Sequence, residues 1–172
     1  MSSETNNRVP PGQVSSNAVW VGAWYAAPSH LLGANLSGRT FRQILHLQAG
    51  GEQLRLHLSN RYGKEPITLA SISAGLVLQG SIVSPDAKAV LFQGQTIVTL
   101  EPGQQIVSDP VTLRTEALTD VAVTFFLKQG ESLTGHWSAM QTSYLSGIGD
   151  YTGVPSEMAF FVYPLITQSW WI

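Results

Sequence analysis

No stretch of this chain repeats its apolar residues at the three-to-four-residue period of a helix. From Val19 onward, short β-branched and aromatic runs alternate with clusters of Gly, Pro, Asn, Asp and Ser, at a spacing of roughly 8–12 residues. That rhythm belongs to antiparallel strands joined by tight turns, and it argues against helical bundles and α/β folds. Strands are predicted at 19–25, 40–48, 53–60, 66–79, 88–93, 95–100, 111–114, 120–128, 135–145, 158–163 and 168–172. The expectation is an all-β fold, an antiparallel β-sandwich of jelly-roll-like form with about ten short strands. Residues 1–17 are polar with two prolines and read as a disordered arm. Residues 18–172 then read as a single β-sandwich domain without internal repeats.

Composition narrows the function classes. Hydrophobic residues make up 44% of the 172, enough for a full core. Charged residues are only 12%, about half the usual share, and the net charge is -2. A nucleic-acid partner would need clustered Lys and Arg, so none is expected. Cysteine is absent, which excludes disulfides, thiolate metal sites and a cysteine nucleophile. The first 13 residues lack the apolar core of a signal peptide. The chain is therefore expected to be cytosolic, or to have lost its leader. No run approaches the ~20 apolar residues of a membrane span. The most apolar stretch, Met158 to Ile166, is broken by Pro164. No metal and no cofactor is expected.

The sharpest local pattern lies in residues 40–60. Gly50-Gly51 suits a two-residue hairpin turn. It would place Leu47 opposite Leu54, Leu45 opposite Leu56 and Gln43 opposite Leu58, on a core face shared with Phe41. The other face would pair His46 with Arg55, Ile44 with His57 and Arg42 with Ser59. Arg42, His46, Arg55, His57 and Ser59 thus form a candidate binding or docking face for an anion, a sugar or another domain. The alternative is the solvated outer face of an antiparallel sheet. Arg55 beside His46 would repel a metal cation, and no carboxylate accompanies them.

Catalytic signatures are missing. There is no G-x-S-x-G elbow and no helix to follow one. Gly149-Asp150-Tyr151-Thr152-Gly153 resembles a Gly-Asp-Ser block, but tyrosine stands in the serine position, and a Gly/Asp turn is the expectation. His30, His46, His57 and His136 have no paired metal-ligand spacing. Most acids fall at turns: Glu52, Asp86, Glu101, Asp109, Asp120, Glu131 and Asp150. The aromatics could stack on sugar rings, although core packing is the commoner fate. Trp170 and Trp171 form an apolar ending. Such an ending predicts either that the natural chain continues or that the last strand docks into a sheet, and they join the candidate docking residues. An apolar edge there could also pair with a second copy as a homodimer.

Several motifs stand in order: W-V-G-A-W-Y-A-A-P (Trp20 to Pro28), T-F-R-Q-I-L-H-L (Thr40 to Leu47) and L-R-L-H-L-S-N-R-Y-G (Leu54 to Gly63). They are followed by P-I-T-L-A (Pro66 to Ala70), P-G-Q (Pro102 to Gln104), S-D-P-V (Ser108 to Val111), Q-T-S-Y-L-S (Gln141 to Ser146) and G-D-Y-T (Gly149 to Thr152). The series resembles the N-terminal region of bacterial SGNH/GDSL-type ester hydrolases, the lipase and acylhydrolase group, over roughly residues 19–172. The resemblance implies a β-sandwich that precedes a catalytic α/β domain. The family's catalytic Ser, Gly, Asn and His blocks have no counterpart here, so no catalytic residue is assigned. The implied role is a non-catalytic accessory domain. Its implied partner is the SGNH/GDSL catalytic domain of the same parent chain, an esterase or lipase that is secreted or periplasmic. The alternatives are a stand-alone carbohydrate-binding module, taking a glycan or acylated carbohydrate, and a self-associating structural sandwich.

Overall fold

The computed structural model describes residues 19–30, 36–130, 134–136, 141–162 and 170–171. The strands are β1 (Ser29–His30), β2 (Arg39–His46), β3 (Gly51–Leu54), β4 (His57–Ser59), β5 (Ile67–Gln79), β6 (Ile82–Val83), β7 (Lys88–Ala89) and β8 (Ile97–Leu100). Then follow β9 (Gln105–Val107), β10 (Val111–Thr115), β11 (Asp120–Gln129), β12 (Thr134–His136), β13 (Ser143–Ile148), β14 (Phe160–Val162) and β15 (Trp170–Trp171). One 3-10 turn spans Glu157–Ala159. The chain is all-β and antiparallel, with a sandwich-like fold whose main sheet curls into a half-barrel.

That sheet runs β14-β13-β2-β11-β5-β6, with β7 and β8 also paired to β5. The strands β3 and β10 form a two-stranded sheet, β4 and β9 another, and β1-β12-β15 a three-stranded one. Alternation along β11 shows why the sheet has two dry faces. Val121, Val123, Phe125 and Leu127 point into the main core, where Phe125 stacks on Phe41 with ring centroids 5.1 Å apart. Ala122, on the opposite face, joins a second cluster with Ile44 and Val83, against which Val77 and Tyr144 pack. A central strand covered on both faces cannot show a polar outer side. Inside β5, Ser71 adopts φ 52° where the ladder to β11 slips register. This bulge puts an extra residue on β5 and re-aims the Ser71 side chain.

The predicted 40–60 hairpin does not form. β2 pairs with β11 and β13, β3 pairs with β10, and β4 pairs with β9. Gly50 makes no hairpin turn: it is pressed against the end of β10, where a Cβ would come 2.5 Å from the Thr115 carbonyl oxygen. The chain crosses between layers there, because β2, buried almost throughout, needs a partner strand on each side. The tight two-residue turn lies elsewhere, at Gln93-Gly94, both at positive φ, between Phe92 and Gln95. The run 19–25, expected as a strand, joins no ladder and makes an irregular crossing in which the Ala23 carbonyl accepts from the Gln48 amide. The strand expected over 135–145 is instead two, β12 and β13. The 1–17 arm lies outside the described residues.

Candidate functional site

Arg42 occupies the outer face of β2 and is only 1% exposed. Its Nε–H donates to Thr124 Oγ1 on the neighbouring β11 at 3.0 Å. Nη1 donates to the Ser81 carbonyl and Nη2 to the Val154 carbonyl, both at 2.5 Å. The guanidinium carbon stands 4.0 Å from the centroid of the Phe160 ring. No carboxylate among the described residues pairs with it. Burial alone pushes its pKa down to about 10.

Residues 149–156 fold over this arginine. Thr40 Oγ1 donates to the Gly149 carbonyl and accepts from the Tyr151 amide, both at 2.9 Å. The Val83 amide donates to the Pro155 carbonyl at 3.0 Å. Burial pushes the Asp150 carboxyl up, but hydrogen bonds from the Ser71 hydroxyl and the Thr152 amide, with a smaller contribution from the Thr152 hydroxyl, hold it below its ordinary 3.8. The G-D-Y-T-G stretch is therefore a folded-over loop, in line with the Gly/Asp turn expected for it. Between this loop, β5 and β11 lies a cavity of about 290 Å³, walled in part by Arg42, Ser84, Thr124 and Thr152. A shallower apolar groove of about 350 Å³ lies beside it, along Gly147, Tyr151 and Met158.

Asn60 is a second buried polar hub, fully enclosed. Its Nδ2 donates to the Glu65 and Leu100 carbonyls at 2.9 and 3.0 Å. Its backbone carbonyl accepts from the Gly63 and Gly103 amides. A Cβ on Gly63 would lie 1.8 Å from Asn60 Oδ1, so this close approach requires glycine. Nearby, Ser108 Oγ accepts from the Leu56 amide at 2.9 Å. The Asp109 carboxylate accepts from the Gln93 and Gly94 amides at 3.1 and 2.7 Å.

The remaining candidate residues do not share one face. His46, at the end of β2, donates from Nδ1 to Asp120 Oδ1 at 2.7 Å, and both side chains are nearly half exposed. No hydroxyl among the described residues bonds to that imidazole. Arg55 is exposed, with its guanidinium carbon 4.5 Å from the Trp20 ring centroid. His57 is exposed opposite Val107, and Ser59 Oγ accepts from the Arg61 amide at 3.2 Å. Arg55 and Trp20 thus form an exposed cation–ring pair, and His57, Val19 and Val21 are each exposed. The backbone of Trp170–Trp171 pairs with β12, and their side chains lie outside the described residues.

The surface expected to unite Arg42 with His46, Arg55, His57 and Ser59 is thus split into a buried clamp around Arg42, the exposed His46–Asp120 pair and the Arg55–Trp20 pair. Sequence reasoning missed Thr124, Ser81 and Val154 as partners of Arg42. Only the alternation of β11 hinted at Thr124, and carbonyl acceptors leave no mark in side-chain chemistry. Among the described residues no helix is long and apolar enough to cross a membrane, and no group of His, Asp or Glu could hold a metal ion. No protein-family model matches this chain, and no curated protein is detectably similar to it in sequence.

Proposed function

We propose that the chain is a non-catalytic accessory β-sandwich domain of an SGNH/GDSL-type ester hydrolase, packing against the catalytic domain through the exposed Trp20–Arg55 pair. What supports this reading is where the motif residues lie. Arg42 of T-F-R-Q, Asn60 and Gly63 of S-N-R-Y-G, Ser108 and Asp109 of S-D-P-V, and Gly149 of G-D-Y-T all bond to or pack against the protein's own frame. A signature written in such residues specifies a fold, and chemistry belongs to the domain it accompanies. The pair suits docking because it combines an exposed aromatic ring and an arginine, types that interfaces favour.

The test is p-nitrophenyl acetate hydrolysis by this chain alone and by the same chain joined to a catalytic SGNH/GDSL domain. The expected result is background rate for the first and turnover for the second, with Trp20→Ala plus Arg55→Ala lowering the melting temperature of the joined protein. Turnover by the isolated chain, or a joined protein indifferent to both substitutions, overturns the reading.

A further inference from the structure

The cavity above Arg42 holds an unbalanced charge. A guanidinium carries five N–H donors, and three of the bonds they can make are accounted for by Thr124, Ser81 and Val154. Its charge is desolvated, and all its acceptors are neutral. A buried charge without a counter-charge is costly, and an anion entering the cavity would relieve that cost.

The walls supply further donors. Thr124 Oγ1 accepts from Arg42, which leaves its own hydroxyl proton to give. Ser84 Oγ accepts from the Asp86 amide at 3.3 Å and likewise keeps its proton. Thr152 Oγ1 is fully enclosed and finds no partner of good hydrogen-bond geometry, although its hydroxyl contributes a little to holding the Asp150 carboxyl low. Asp150 does not line the cavity, and its carboxylate is engaged by Ser71 and the Thr152 amide. The other walls include Val83, Pro85, Ala87 and Pro155. A fourth wall hydroxyl, Ser73 Oγ, is already given to the Thr152 carbonyl at 3.3 Å. One positive charge, the other three hydroxyls and the apolar walls suit a ligand with one negative charge and a short aliphatic body. A dianion would leave a buried negative charge uncompensated. The volume of about 290 Å³ sits at the lower edge of the ~300–1,000 Å³ range of small-molecule sites.

We propose that the cavity between β2, β11 and the 149–156 loop is a binding site for a short-chain monocarboxylate, held by Arg42 with Ser84, Thr124 and Thr152. The site is independent of the accessory-domain reading.

The experiment titrates the full chain with sodium acetate and sodium butyrate, following backbone amide and Arg42 Nε–H NMR resonances. Sodium chloride at matched ionic strength and inorganic phosphate are the controls. The expected result is saturable shifts confined to Arg42, Ser84, Thr124, Gly153 and Val154, absent with chloride and weaker with phosphate. Thr152→Val and Ser84→Ala should each weaken carboxylate binding about tenfold, the usual scale for one hydrogen bond to a charged group. Thr152→Val should change the melting temperature little, and Ser84→Ala, which gives up only the exposed bond from the Asp86 amide, should lower it slightly. Shifts that chloride reproduces, phosphate binding tighter than acetate, or both well-folded variants binding as tightly as the parent protein would each overturn the proposal.

Discussion

Arg42 and Arg55 lie thirteen positions apart, on segments with the same alternating pattern, and each sets its guanidinium over an aromatic ring. The first is buried at 4.0 Å over Phe160 and the second exposed at 4.5 Å over Trp20. Similar local chemistry thus has different worth. A cation over a ring is worth about 0.5–1 kcal/mol when exposed and about 2 or more when desolvated. Around Arg42 water is replaced by carbonyls that accept from fixed directions, so the residue clamps three segments together. Arg55 keeps its hydration and remains available to a partner.

The largest expected effect that tests this contrast is Arg42→Ala. It leaves the Ser81 and Val154 carbonyls without their donor and opens a void under the loop. A loss of about 3–5 kcal/mol is expected in urea unfolding, against less than about 0.5 for Arg55→Ala. A small loss at Arg42 would mean that water replaces the guanidinium freely and that the residue is no clamp. Next come double-mutant cycles with Phe160→Leu and Trp20→Leu. The coupling should be about 2 kcal/mol for Arg42 with Phe160, and about 0.5 kcal/mol for Arg55 with Trp20. Equal couplings would erase the distinction drawn from burial.

The smallest effect concerns acid. Asp150 sits in the loop that covers Arg42, and its folded pKa lies below the ordinary 3.8. In the window below that value the unfolded chain binds more protons than the folded one, so stability falls as pH falls. Asp150→Asn should flatten the stability profile below about pH 4 and leave the profile near pH 7 sloped as before, as followed by urea midpoints. An unchanged acid limb would show that the Ser71 and Thr152 bonds do not favour the charged carboxylate.

The fold class was legible because alternation survives in the long strands. β5 was expected over 66–79 and spans 67–79, and β11 was expected over 120–128 and spans 120–129. Strand neighbours were not legible. A period of two reports which face a side chain takes and carries no address for the partner strand. Two adjacent alternating runs with Gly-Gly between them therefore looked like a hairpin, although each pairs with a strand far along the chain. Arg42 looked exposed because its cover comes from residues 149–156 and from Phe160, far away in sequence. The 19–25 run shows the same limit from the other side, since its aromatic and β-branched content fits a half-buried surface without requiring a ladder.

The clamp also sets a timetable for the growing polypeptide. The Val154 carbonyl that Arg42 needs lies 112 residues downstream, and the Tyr151 amide that Thr40 receives lies 111 downstream. At the usual pace of translation those partner groups follow β2 out of the ribosome on the order of ten seconds later. Until then the strand can neither bury its cation nor pair on its β13 side, and the Phe41 and Leu45 face has no settled home. The β13 edge of the sheet therefore closes after its β11 side, and the nascent chain holds an incompletely covered apolar face until residues 143–162 emerge. An interval of that kind is where a chaperone would be expected to engage it.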